Sequence, residues 1–256
     1  MLMIGHDAEV FVKDGMCITS IIGKLGGTKD NPLPVKHGAL QEDNVLAELN
    51  IDPCTTADEF VTRTAAVLAQ LEDRLPSGWG VDIISSHHYE QEALMSFGDK
   101  AMEFGCTPDF NCWTLEQNQI SSPFTTLRTA GGHVHIGFDD VTPETQLQVM
   151  RMADYMLGLP SVILDTDKQR RELYGKSGAY RPKKYGAEYR VLSNFWLKDE
   201  VVMRWVFSQA QRCYNERGNL DGYTSIITPP ELAHIINTGD ESRAKSALRD
   251  LGITLP

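Results

Sequence analysis

Alternation of apolar and polar residues recurs in four separated stretches of this chain, and it commits the fold to a sheet with one buried face and one polar face. In residues 2–12, Leu2, Ile4, Ala8 and Val10 share a face with His6, while Asp7 and Glu9 take the other. In residues 45–51, Val45, Ala47, Leu49 and Ile51 oppose Glu48 and Asn50, and the acids Glu42 and Asp43 stand just before the run. Glycines bracket residues 131–137, where His133 and His135 lie on one face and Val134, Ile136 and Phe138 on the other. Residues 186–194 set Glu188 and Arg190 against Tyr189 and Val191. Contact with water explains any one polar face. Four of them, carrying carboxylates, imidazoles and a guanidinium, form an inventory for a divalent metal and an anionic substrate.

The connecting chain reads as follows. Asp14-Gly15 signals a hairpin with a returning strand over 16–22. Residues 23–34 read as a mobile surface loop and a candidate lid, although Gly26-Gly27 lacks the P-loop pattern. Thr56 is placed to cap a helix reaching Leu75, with Asp58 and Glu59 in its first turn and Phe60, Val67, Leu68 and Leu71 at helical spacing. A strand is expected over 80–86, ending in His87 and His88. As neighbours these point to opposite faces and suit a polar strand end better than a chelate. Residues 89–124 show no clean period. Around Cys106, Asp109 and Trp113 they read as a turn-rich insertion over the site, with Trp113 facing a substrate or, the favoured reading, packed. Thr142 and Pro143 open a helix marked by Leu147, Met150, Ala153 and Leu157. Helices over 199–217, from Pro229-Pro230 and over 242–251 read as packing.

Charge is distributed unevenly. Lysine and arginine total 24 against 35 acids, a net −11, which argues against nonspecific binding to nucleic acid or an anionic membrane. Within that acidic chain, residues 168–184 hold Lys168, Arg170, Arg171, Lys176, Arg181, Lys183 and Lys184 against only Glu172. Interspersed with Gly175, Gly178, Tyr174 and Tyr180, they suit a loop folded around phosphates. Five scattered cysteines lack metal-ligand spacing and fit a reducing cytoplasm. With no signal-like N-terminus and no apolar run of membrane length, the expectation is a soluble, unprocessed protein. Its 256 residues, 41% hydrophobic, suffice for one domain without a visible linker.

These motifs, in this order, resemble a known family. Gly5-His6-Asp7-Ala8-Glu9-Val10-Phe11, Glu48-Leu49-Asn50, Gly132-His133-Val134-His135-Ile136-Gly137, Tyr174-Gly175-Lys176 and Tyr185-Gly186-Ala187-Glu188-Tyr189-Arg190 look like the phage-type carboxylate-amine ligases of the glutamine synthetase and glutamate-cysteine ligase superfamily. The resemblance implies an α+β fold, a curved, mainly antiparallel half-barrel sheet with flanking helices, holding magnesium (or manganese) and ATP on its concave face. It implies metal ligation by Asp7, Glu9, Asp43, Glu48, His133 and Glu188. Arg190 would contact phosphate or the reacting carboxylate beside Glu188, and His135 would orient a neighbour or touch substrate. Nucleotide would be held by Arg171, Lys176, Arg181, Lys183 and Lys184. It also implies location in the cytoplasm, the host's for a phage protein. The partners are a carboxylate and an amine, as small molecule, peptide or protein, joined through an acyl phosphate. This sequence departs from the glutamine synthetases at Asp7, where those enzymes carry Glu. Two rivals explain less: a metal-dependent hydrolase has little use for the basic segment, and a non-catalytic phage binding or structural protein has none for the four polar pairs.

Overall fold

The first alternating stretch forms the long strand β1 (Met3–Asp14) in the computed structural model, which describes residues 1–103, 109–118 and 126–256. The other strands are β2 (Cys17–Thr19), β3 (Leu33–Val35), β4 (Gly38–Asp43), β5 (Leu46–Ile51), β6 (Trp79–Asp82), β7 (Ser86–His88), β8 (Phe110–Asn111), β9 (Leu127–Thr129), β10 (Gly132–Gly137), β11 (Ala179–Lys183) and β12 (Gly186–Tyr189). The main sheet runs β3-β4-β5-β1-β10-β12-β11-β8, with β2 and β6 on the distal end of β1. Its pairings are antiparallel and its ends stay unjoined, so the sheet is open. The expected α+β class, with helices flanking a large antiparallel sheet, is what the chain adopts.

One face is sealed by helices. α1 (Ala57–Glu72) is capped by Thr56 and buries Phe60, Val67 and Leu71. After the short α2 (Gln91–Ser96) and α3 (Asp99–Met102) comes α4 (Pro143–Ala153), capped by Thr142 with Pro143 in its first turn. α5 (Leu159–Leu164), α7 (Glu200–Asn215), α8 (Leu220–Ile226), α9 (Pro229–Thr238) and α10 (Glu241–Asp250) complete the layer, while the single turn α6 (Arg170–Leu173) carries Arg170 to the polar side. His6 belongs to this side: its ring meets Phe60 and Trp196 edge-on at 5.3 and 5.0 Å and its Nε2 lies 2.8 Å from Thr64 Oγ1. No helix among the described residues is long and apolar enough to cross a membrane.

Between α4 and α5 the chain makes a π-helical turn, Asp154–Gly158. Pro160 has no N–H to return to the fourth residue back, and its ring crowds that carbonyl, so the helix widens there. The turn delivers the fully buried Asp154 carboxylate to four donors: Trp113 Nε1 (2.7 Å), Ser177 Oγ (2.6 Å), Gly178 N (3.0 Å) and Tyr189 OH (2.7 Å). Gly158 makes room for the last, since a Cβ there would lie 2.3 Å from the Tyr189 oxygen. Trp113 is thus a packed aromatic, against Tyr155.

Three expectations need correction. The return strand over 16–22 shrinks to β2. The strand over 80–86 breaks, because Ser85 Oγ bonds Asp165 and Ser193 and turns the chain off the main sheet. Beyond it β7 pairs with β9 in a separate sheet, placing His87 against Phe11 and Tyr89. Residues 168–184 are not one loop; they contain α6 and β11. Of the expected insertion, Cys106 lies outside the described residues.

Candidate active site

Register brings the polar pairs together in rows across the sheet. Glu9 of β1 lies opposite Glu48 of β5, which lies opposite Gln41 of β4. Asp7 stands between Asn50 of β5 and His133 of β10. His135 lies opposite Glu188 of β12, and Glu188 opposite Arg181 of β11. Directly opposed residues hold their Cβ atoms about 5 Å apart, so residues distant in sequence become side-chain neighbours.

Two groups of possible metal ligands result. In one, Glu9, Asp43 and Glu48 present carboxylate oxygens within 4.8 Å of one another; in the other, Asp7, His135 and Glu188 do the same with an imidazole included. Burial, then Asp43, pushes Glu9 up to about 7. Burial, then Asp7, Glu9 and Asp43, pushes Glu48 well above the carboxylate range, and burial raises Asp43 despite Lys29 and Arg190. Like charges so close repel, and an oxygen-preferring divalent cation suits that donor set. The second group is balanced differently. Burial works to raise Asp7, but His135 and His133 outweigh it and hold the carboxyl well below its usual range. Burial and Asp7 push Glu188 upward, yet Arg190, His133 and His135 hold it at about 2.

The two histidines stand in different surroundings. His133 Nδ1 lies 3.0 Å from Asp7 Oδ1 and 3.2 Å from Arg190 Nη1, and burial followed by Arg190 lowers its pKa to about 4. It stands outside both ligand groups. His135 is the one that joins Asp7 and Glu188, with Nε2 3.1 Å from Asp7 Oδ2 and Nδ1 bonded to Tyr185 OH. Gly131 gives His133 its space: a Cβ there would lie 2.3 Å from Nε2.

A cationic wall faces the acids. Glu188, fully buried, pairs with Arg190, with Lys183 Nζ at 2.7 Å and with Arg181 at 3.7 Å. The other expected nucleotide-binding residues stand elsewhere. Arg171 is buried in α6 with Nη2 3.0 Å from Ser161 Oγ, Lys184 is exposed at the turn after β11, and Lys176 precedes that strand; none lines the cavities described next. Sequence reasoning gave no role to Tyr185 and passed over the carboxylate of Asp109, which accepts from Arg190 Nε at 3.2 Å and from Asn118 at 2.9 Å. Both lie outside the strands and helices, where no periodic signal exists.

Three cavities adjoin along this face. The central one, about 260 Å³, is lined by Asp7, Glu9, Asp43, Glu48 and His135 of the two ligand groups and by Arg181, Lys183 and Arg190. It shares Asn50 and His135 with a largely apolar cavity of about 350 Å³ bounded by Met3, Ile51, Pro53 and Tyr185. At the other end it shares Glu9, Asp43, His133 and Arg190 with a small compartment of about 60 Å³ that Arg128, Arg170 and Asp109 also line.

No curated protein matches the chain at a significant level. A solved structure described as "GmaS/ADP complex-Conformation 1" is similar over 100% of this chain and 71% of its own, at 12% identity and a TM-score of 0.36. The family model for phage phiEco32-like COOH.NH2 ligase-type 2 matches residues 115–251, more than half of the chain. That segment contains His133, His135, Arg181, Lys183, Glu188 and Arg190, whereas Asp7, Glu9, Asp43 and Glu48 reach the site from outside it. The chain belongs to the phage phiEco32-like COOH.NH2 ligase-type 2 family, the carboxylate-amine ligases.

Proposed function

We propose that residues 1–256 form one ATP-dependent catalytic unit that joins a carboxylate to an amine through an acyl phosphate. The observation that carries this reading is one cavity in which Asp7, Glu9, Asp43, Glu48 and His135 of the two ligand groups meet the cations Arg181, Lys183 and Arg190. Glu9, Asp43 and Glu48 would hold one magnesium ion and Asp7, His135 and Glu188 another. The bound metal supplies charge stabilisation for phosphate oxygens. The apolar cavity suits a nucleoside, its base against the half-exposed ring of Tyr185, with the triphosphate reaching Lys183 and Arg181. The acid substrate then lies toward Arg190.

In the first step a carboxylate oxygen attacks the terminal phosphorus, a new O–P bond forms, and the bond to ADP breaks. Arg190 and Lys183 offset charge on the transferring group. In the second step the amine nitrogen attacks the acyl carbon, the C–O bond to phosphate breaks with its electron pair, and the nitrogen loses a proton. Asp109 holds Arg190 in place through its Nε.

The test is ADP release from magnesium ATP across pooled acids and amines, with amide product identified by mass. Arg190→Ala and Glu188→Gln are each expected to lower kcat/KM by about 10²-fold or more. Wild-type protein that binds no nucleotide with magnesium or manganese ends this reading.

A further inference from the structure

One side chain clasps the loop of residues 23–34. The Glu42 carboxylate accepts the backbone N–H groups of Gly23 (3.0 Å), Lys24 (3.1 Å), Leu25 (3.0 Å) and Gly26 (3.1 Å), and its own N–H donates to the Gly27 carbonyl at 2.9 Å. Gly23 and Gly26, at φ +72° and +86°, adopt the left-handed backbone that turns successive N–H groups toward one anion. Thr28 and Asn31 then exchange backbone hydrogen bonds of 3.1 Å each, closing a tight turn with Lys29 and Asp30 at its tip. The expected mobile lid is therefore anchored through its first half.

What the clasp presents is Lys29, which lines the central cavity with Pro32 from the same loop. The other lining cations, Arg181, Lys183 and Arg190, all stand on the β11 and β12 side. Lys29 reaches the cavity from the other side, in the loop bonded to Glu42 of β4, next to Asp43, on which Arg190 also acts. Its charge is close enough to pull Asp43 downward against burial. A phosphoryl group in transfer spreads charge over three peripheral oxygens, more than one wall of cations can face.

We propose that Lys29 is a binding residue for the transferred phosphoryl group, contacting it from the side opposite Lys183, and that Glu42 is the positioning residue that holds Lys29 there. This rests on the ligase reading above. A plain salt bridge to the acid group is the competing account.

The test compares wild type, Lys29→Ala, Lys29→Arg, Glu42→Gln and the Lys29→Ala/Glu42→Gln double variant. Steady-state ADP formation is followed for the acid and amine that wild type joins, and calorimetry gives the Kd of magnesium ADP. Lys29→Ala is expected to lower kcat about 10- to 100-fold, while ADP, which lacks the transferred group, binds within about threefold of wild type. Lys29→Arg should restore part of the rate. Glu42→Gln should lower kcat by less than Lys29→Ala, and the double variant should be no slower than Lys29→Ala alone. Wild-type kcat in Lys29→Ala overturns the proposal and leaves a salt bridge; effects of the two single changes that multiply overturn the part given to Glu42. Lys29 is exposed, so its variants test the idea even if Glu42→Gln unfolds. Wild type without nucleotide binding refutes the ligase reading itself, and this proposal falls with it.

Discussion

Replacing Glu48 by Gln should make the metal-free protein more stable while removing its response to a divalent cation. Glu48, opposite Glu9, has its pKa raised well above 4.5 by burial and by Asp7, Glu9 and Asp43. Each unit by which a folded pKa stands above the unfolded one destabilises the ionised form by about 1.4 kcal/mol. A neutral glutamine removes the buried charge and its repulsion, so the gain is about 1 kcal/mol or more, at least about 2–4 °C in Tm for a chain of this size. Because the folded pKa lies above the unfolded one, the penalty is absent below about 4.5 and grows as pH rises above it. Magnesium at about 100 times its Kd should add about 2.7 kcal/mol to wild type, roughly 5–10 °C, and little to the variant. The assay is thermal unfolding in EDTA and in magnesium, at about pH 5 and about pH 8, with the gain of Glu48→Gln over wild type in EDTA widening at the higher pH. A variant that melts lower than wild type in EDTA at the higher pH, or that keeps the full magnesium shift, refutes the reasoning.

Other expectations follow from single contacts. Asp154→Ala leaves Trp113, Ser177, Gly178 and Tyr189 without their acceptor, and should lower the unfolding free energy by about 3 kcal/mol or more in urea titrations. Gly132→Ala puts a Cβ 2.3 Å from the Ser193 carbonyl and 2.5 Å from Trp196 Nε1, a loss of about 2 kcal/mol. Gly5→Ala meets nothing closer than 3.8 Å and should leave the urea midpoint near wild type. Lys184→Ala should change kcat/KM less than about twofold, whereas Lys183→Ala, losing the 2.7 Å contact with Glu188 and a cation in the cavity, should lower it by about 10²-fold; equal effects would contradict the division between these neighbours.

The strands and their faces were legible because period two survives wherever one face is buried: Ala8, Val10, Leu49, Val134 and Ala187 pack inward while Glu9, Glu48 and Glu188 line the other side. Register was not legible. Which of His133 and His135 joins a carboxylate group depends on His135 lying opposite Glu188, a pairing across 53 residues of chain that alternation alone leaves free. Composition marked residues 168–184 as basic, but only a strand aims Arg181 and Lys183 into the cavity. α6 turns Arg171 into the protein, and the turn leaves Lys184 in solvent. Asp109, Tyr185 and Lys29 lie outside the strands and helices, where position follows from a few hydrogen bonds and no pattern announces it.

The pairing of β1 with β10 sets Asp7 against His133 across 126 residues of chain. Closing such a loop is entropically slow, while α1, α4 and α7 are local structures that form quickly. The cavity is therefore assembled only when the two halves of the sheet meet, late in folding. A fragment spanning 115–251 lacks Asp7, Glu9, Asp43 and Glu48, and a nascent chain lacks the facing wall until Arg190 has emerged. Under the proposed function turnover waits for that assembly, and regained catalysis after dilution from denaturant should trail the return of helical circular dichroism.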